Sequence, residues 1–345
     1  MKILLTTDLH WCQYSSIVRS RGEKYSTRLE HLISSINWSE ELAEITRCDF
    51  ICHLGDFFDA SSLNAEEISA LEDIKWLNDK KHFFICGNHE MGSHDLEYNS
   101  AKVFNSVPNC ETISSPKSFL LSDCKTCLCF LPYVLEANRK PISEYFPETE
   151  GFKRIILSHN DIAGIQMGQF ISKTGFSIEE IENYCEKFIN GHLHNGEKIT
   201  DKIINLGNLC GQNFSEDAEK YSHCAYVLDT DTLRLTGYEN PHSFNFYKLD
   251  GKLPNALNNN AVITLKCKEK DYDWFQSKLS ELKESGRVIE YRILIERELK
   301  ETEDEDYAQT IELTSVDHLK RFSEYVHENI GVSEIIDKEL QEVLR

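Results

Sequence analysis

Along the first two hundred residues, five short apolar runs each stop abruptly at polar side chains: Lys2 to Thr7, Phe50 to Leu54, His82 to Cys86, Arg154 to Ser158 and Lys187 to Asn190. Runs of this length, nearly continuous in apolar character, are what strands buried on both faces look like. Between the first three the period lengthens to that of a helix. Leu29, Leu32, Ile33, Ile36 and Leu42 predict a helix over Thr27 to Ile45. A second is predicted over Asn64 to Leu77, where Asn64 and Glu67 have the spacing of a capping box. Strand, helix, strand, helix, strand is α/β organisation.

A different texture covers Glu111 to Tyr133 and Lys198 to Leu249. Short runs rich in Ile, Val, Thr, Phe and Tyr alternate there with turns such as Asp229-Thr230-Asp231, which predicts another sheet, largely antiparallel. From Gly251 the pattern changes again. "GKLPNALNNN" reads as a linker, followed by a strand (Val262 to Lys266), a helix (Tyr272 to Glu284), a strand (Val288 to Ile295) and an acidic loop at Glu301 to Asp306. Helical spacing returns near Val316 to Tyr325 and Val332 to Leu344, with apolar faces suited to packing on a cap or docking on a coiled-coil partner. The expected domains are 1–250, 251–300 (a small α+β cap) and 301–345 (a C-terminal helical segment).

Composition narrows the function. At 345 residues the chain exceeds what a single core usually fills. Lys+Arg 37 against Asp+Glu 58 gives a net charge of -21, which repels polyanions at long range and offers no broad electrostatic case for nucleic-acid binding. A phosphate-bearing substrate must be drawn by something local, such as bound cations. The run Met1 to Leu5 is too short for a signal sequence or a membrane span, so a cytoplasmic protein with no membrane association is expected. The 12 cysteines are scattered without a disulfide framework and are expected to be reduced and buried. Cys124, Cys127 and Cys129 have the spacing of a zinc half-site, but no second pair accompanies them and "TCLCFL" fits a strand whose thiols pack.

The chemistry collects at the strand ends. Asp8-Leu9-His10 follows the first strand, Gly55-Asp56 the second and Gly87-Asn88-His89-Glu90 the third; Ser158-His159-Asn160 and Gly191-His192-Leu193-His194 follow later ones. In an α/β sheet, ligands bind outside the carboxyl ends of strands, so these segments can meet in one crevice. Asp8 and His10, two apart, can bind one ion; His192 and His194 can split between two; Asp56 can place one oxygen on each; Asn88 adds a neutral oxygen. Carboxylate, imidazole and amide donors without thiolate suit Mn²⁺, Fe²⁺ or Zn²⁺. Two cations about 3.5–4 Å apart would clamp an in-line phosphoryl displacement and activate a water. His89, beside Asn88, is then free to face the phosphate as a general acid. His53 reads as a buried, hydrogen-bonded strand histidine.

The set "DLH … GD … GNHE … H … GHLH" resembles the calcineurin-like metallophosphoesterase superfamily over residues 1 to 245. The resemblance implies an α/β fold, a two-sheet αββα sandwich, here with the small C-terminal α+β cap. It implies a dinuclear centre, most consistent with two Mn²⁺ ions: Asp8, His10, Asp56 and His194 around one, and Asp56, Asn88, His159 and His192 around the other, with His89 catalytic. "MKILLTTDLHW", "IINLGNLCGQNFSE" and the α+β tail look like the SbcD-like nuclease subunits, and "GNHEMGSHDLEYN" and "HCAYVLDTDT" like their bacteriophage counterparts. That branch implies DNA as substrate, an SMC-like ATPase partner and a homodimer in the bacterial or phage-infected cytoplasm. "GDFFDAS" departs from the branch: Asp59 stands where cellular members usually have a second histidine. Two other readings compete, a phosphoprotein or small-molecule phosphatase and a non-catalytic scaffold of the same fold.

Overall fold

Period-two alternation decides which layer each strand residue joins. The computed structural model describes residues 1–296 apart from 16–17, 94, 168–169, 217 and 219–220. The first apolar runs form β1 (Lys2–Thr6), β2 (Phe50–Leu54) and β3 (Lys81–Ile85), joined in parallel and extended by β4 (Cys110–Ile113). A second sheet holds β5 (Lys117–Leu121), β6 (Thr126–Leu131), β7 (Lys153–Ser158), β8 (Lys187–Asn190), β9 (Glu197–Lys198) and β10 (Ile203–Asn205) in the order β9-β10-β8-β7-β6-β5. Its four central strands are parallel. The first sheet is completed by β11 (Cys224–Asp229), antiparallel to β1, and β12 (Arg234–Glu239) beyond it.

Ile3, Leu5, Cys52, Leu54, Phe83 and Ile85 meet Leu128, Phe130, Ile155, Leu157 and Ile189 between the sheets. The alternate residues Leu4, Ile51 and Phe84 pack with Leu29, Leu32 and Ile36 of α1 (Thr27–Ile45). On the far side Cys127, Cys129, Ile156 and Phe188 pack with Ile181 of α3 (Ile178–Tyr184). The result is the αββα sandwich, in which each large buried apolar side chain contributes about 1.5–3 kcal/mol. All 12 cysteines are free thiols, with Cys127 and Cys129 side by side in the outer core, Sγ to Sγ 3.7 Å.

Two expectations need correction. The stretches 111–133 and 198–249 do not form a sheet of their own that is largely antiparallel. They are divided among the sheets, and among the described residues their antiparallel pairs lie at the outer edges, β5 on β6, β9 on β10 and β12 on β11 on β1. Local alternation identifies hairpin partners, whereas a strand's other neighbour is chosen by a crossover that leaves no local trace. The second helix is also shorter than expected. The capping box forms, but α2 runs only over Ala65–Ala70 before one 3₁₀ turn. Beyond it the N–H of Lys75 goes to Asn37 Oδ1 (2.8 Å) and that of Leu77 to Glu40 Oε2 (3.0 Å), so α1 side chains take donors a longer helix would have used.

After β12 the chain enters β13 (Asn245–Asp250), which pairs in parallel with β14 (Ala261–Lys268) and through it with β15 (Val288–Glu296). The "GKLPNALNNN" segment therefore connects neighbours within one small sheet. Phe275 and Leu279 of α4 (Tyr272–Glu284) cover one face of it. Met1–Glu296 form one compact unit. The acidic loop and the expected helical segments near Val316 to Tyr325 and Val332 to Leu344 lie outside the described residues. Among the described residues no helix is long and apolar enough to cross a membrane.

Candidate metal centre

The parallel strands of both sheets deliver their carboxyl ends to one place. There the backbone turns sharply: Asp8 (φ 50°), His10 (φ 50°), Asp56 (φ 48°) and His192 (φ 77°) are all left-handed. Such a conformation costs a non-glycine residue about 1–3 kcal/mol and persists where surrounding structure enforces it. Two glycines make room for the side chains. A Cβ on Gly87 would overlap Asp56 Oδ1 and His159 Nε2, and one on Gly191 would overlap Thr7 Oγ1 and the His159 ring.

Two groups of donor atoms meet at the strand ends, beside a third in which His10 also neighbours Asp59 and His89. Asp8, His10 and His194 lie with their donor atoms within 4.8 Å of one another, and so do Asp56, His159 and His192. His192 and His194 thus fall in different groups. Asn88 joins the second group, its Oδ1 2.9 Å from His192 Nδ1. Asp56 lies between them, although not with one oxygen on each. Its Oδ2 is 3.1 Å from His159 Nε2 and 4.0 Å from His10 Nε2, while Oδ1 accepts the His89 N–H at 2.9 Å. The main chain has claimed one oxygen, so a single oxygen faces both groups.

The far nitrogens of the imidazoles show what the near ones need. His159 Nδ1 donates to Leu54 O (2.6 Å) and His10 Nδ1 to Asp59 Oδ1 (3.0 Å). His192 Nε2 donates to Asp161 Oδ1 (3.0 Å), and His194 Nδ1 faces Glu216 Oε1 at 3.6 Å. Carbonyls and carboxylates only accept, so the opposite nitrogens carry lone pairs in the neutral rings. Those lone pairs then meet other acceptors: His10 Nε2 lies 3.0 Å from His194 Nε2, and His192 Nδ1 lies against Asn88 Oδ1. Asp8 Oδ1 and His159 Nε2 are buried with no hydrogen-bond partner. Acceptors crowded on acceptors are costly unless a cation sits among them. A spacing of about 3 Å is the edge of an octahedron with bonds of about 2.1 Å. The donor set fits two divalent ions.

Electrostatics agree. Burial opposes charge on His159, yet the Asp56 and Asp8 carboxylates outweigh it and raise its pKa to about 10. Burial likewise opposes charge on Asp56, but His159, His10 and His89 hold it well below the usual carboxylate range. A proton on His159 thus stands in for a cation. Burial pulls His10 down despite Asp59 and Asp56. His194 also resists burial and is raised by Glu216 and Asp8. His89 lies at the mouth with its side chain 39% exposed, its ring 4.6 Å from that of His10 and its Nδ1–H on Asp59 O at 2.8 Å.

Several residues that build the site had no role assigned from the sequence. Glu90, fully buried, accepts from the N–H groups of Gly87 (2.7 Å), Phe58 (2.9 Å) and Asp56 (3.1 Å), stapling the ends of β2 and β3 together. Burial and the charge on Asp56 push its pKa up to about 8, a strain that a cation beside Asp56 relieves. Thr7 Oγ1 lies 2.5 Å from Asp8 Oδ2, which also accepts the His192 N–H at 3.0 Å. Asp161, two residues past His159, could have been noticed by that spacing; Glu216 had no such signal. His223 reaches Glu216 Oε2 at 3.7 Å. His53 is a packing residue: it bonds Thr6 Oγ1 at 2.6 Å, stacks on Phe84, and burial pulls its pKa well down.

Two parallel-centred sheets with carboxylates, imidazoles and an amide at their shared end define a metal-dependent hydrolase centre. The chain belongs to the calcineurin-like phosphoesterase family, whose sequence profile matches residues 1–196. Members of that family hydrolyse phosphoesters with dinuclear divalent-metal sites. Solved structures with similarity include a dimetal phosphatase from Danio rerio, 14% identical, covering 70% of this chain and 96% of that one with a TM-score of 0.41. Another is YfcE, a phosphoesterase from E. coli, 14% identical over 70% of this chain and 100% of that one, TM-score 0.29. No curated protein matches the chain.

Proposed function

We propose that this phosphoesterase is a Mn²⁺-dependent DNA nuclease subunit of the SbcD-like kind, a homodimer that hydrolyses phosphodiester bonds in recombination or repair together with an SMC-like ATPase in a bacterial or phage-infected cytoplasm. The observation that carries the hydrolytic part is the pair of donor groups, each with its donor atoms within 4.8 Å of one another, and within the first of them the lone pairs of His10 and His194 facing at 3.0 Å. Support for a nuclease comes from "GNHEMGSHDLEYN", "IINLGNLCGQNFSE" and the α+β segment that follows the sandwich.

In this reading Asp8, His10, Asp56 and His194 hold one ion, and Asp56, Asn88, His159 and His192 the other. The two cations supply neutralisation of the phosphoryl oxygens and an activated water. The chain does the rest. Asp56 is held by its Oδ1 bond to the His89 N–H, so its Oδ2 stays between the donor groups. His89 keeps its Nδ1 proton on Asp59 O, which leaves Nε2 as the nitrogen that gives a proton to the departing oxygen. With a net charge of -21, affinity for DNA rests on the metals and the ATPase partner.

Cleavage of single- and double-stranded DNA with Mn²⁺, with and without His89→Ala, tests the reading. The variant should keep its metal and lose about 10²–10⁴-fold in rate, the usual contribution of a general acid. Undiminished cleavage removes His89 from the chemistry. A phosphomonoester turned over far faster than any DNA diester would make the protein a phosphatase instead.

A further inference from the structure

The position at which this chain departs from its cellular look-alikes holds two histidines at once. Asp59 Oδ1 lies 3.0 Å from His10 Nδ1 and 3.8 Å from His89 Nδ1, while the Asp59 main-chain oxygen accepts the His89 Nδ1–H at 2.8 Å. The segment is anchored in turn, since the Asp59 N–H donates to Trp11 O at 3.3 Å. The Asp59 side chain is 45% exposed and borders a cavity of about 290 Å³ that Trp11, Gln13, Tyr14 and Asn64 also line.

We infer that Asp59 is a positioning residue that sets a metal ligand with its side chain and the leaving-group acid with its main chain. The inference rests on the dinuclear reading above. A carboxylate has no proton to give, so it fixes His10 with Nδ1 protonated and Nε2 presented as a lone pair. The negative charge behind the ring makes that lone pair a stronger donor. The carbonyl does the same for the tautomer of His89 without adding charge. A histidine at this position would supply neither the charge behind His10 nor an obligatory acceptor. The carboxylate at this position thus gives a tighter hold on the His10 ion.

The two ends of Asp59 can be separated, because substitution removes the carboxylate and leaves the carbonyl. Calorimetric titration of metal-free protein with Mn²⁺ should show two bound ions in the wild type. In Asp59→Asn and Asp59→Ala one ion should be held as before and the other about 10–100-fold more weakly, the range for loss of a carboxylate behind a ligating histidine. Asp59→His should not restore it. In the same Asp59→Ala protein, the rate ratio between DNA and a p-nitrophenyl diester should stay at the wild-type value, whereas His89→Ala should lower it, since p-nitrophenolate needs no proton to leave. Asp59→Asn keeps the shape of a half-exposed side chain, and an unchanged melting temperature without metal will show that the fold is intact. Two unaltered affinities in Asp59→Asn would overturn the inference. So would loss of a third bound ion, which would make Asp59 a ligand. A wild-type protein that binds no Mn²⁺ would overturn the dinuclear reading itself, and a shifted rate ratio in Asp59→Ala would overturn only the main-chain role assigned for His89.

Discussion

The two donor groups are alike in composition and different in how they are held. His159 is fully buried, its ring pinned by the main-chain oxygen of Leu54 at the end of β2, and Asp56 sits in a loop whose amides are gripped by Glu90. Asp56 and His159 cannot shift without moving a central strand. In the other half His10 and His194 lean on side-chain carboxylates, Asp59 and Glu216, and His194 is 27% exposed. A carboxylate can rotate or be replaced while the sheet stays in place. The comparison teaches that Asp56 and His159 are held by the fold itself, whereas His10, His194 and, in the group of Asp56 and His159, His192 are tuned by side chains evolution can change singly.

The largest break in that contrast is expected from Asp56→Ala. It takes the oxygen that faces both groups and leaves His159 as a buried charge without its nearest partner, which costs about 3–5 kcal/mol when one member of a buried ion pair is removed. Metal binding at both groups and all hydrolysis should disappear, with a lower melting temperature in chelator. Retention of one ion would show that the two groups do not share Asp56.

A pH series sharpens the contrast next. In metal-free protein the raised His159 contributes stability that is complete below its unfolded value of 6.5 and is lost as pH climbs towards about 10. The same proton must leave before an ion binds Nε2, so affinity at the group of Asp56, His159 and His192 should rise by up to about tenfold per pH unit over that range. Melting in chelator should therefore fall between pH 7 and 10 while Mn²⁺ affinity grows. Burial has already pulled His10 below its ordinary value, so it has no proton to release there. Parallel trends in stability and affinity would contradict the assignment.

The smallest effect belongs to Asp161→Asn. Asp161 backs His192 as Asp59 backs His10, and the His192 hydrogen bond holds its carboxyl below the ordinary range. The variant should weaken the ion at the group of Asp56, His159 and His192 by about 10–100-fold and leave the other alone, read by the same titration. An equal loss at both ions would mean that the two halves are not independent.

Much of the architecture was legible along the chain because it is local. Apolar runs of strand length, the helical spacing of α1, the Asn64 and Glu67 pair and polar residues at each strand end are properties of neighbours a few positions apart. Those features place Asp8, His10, Asp56, Asn88, His89, His159, His192 and His194 at strand exits. Only the tertiary structure decided which strands share a sheet, where α2 ends, that a single oxygen of Asp56 faces both groups, and that Asp59, Asp161, Glu90 and Glu216 stand behind the donors. Each of those rests on a distance between side chains brought together by crossovers. His192 meets Asp161 from 31 positions away and Asn88 from 104. A hydrogen bond is decided within a few tenths of an ångström, and the spacing of residues along a chain carries no information at that scale once the chain has folded back on itself.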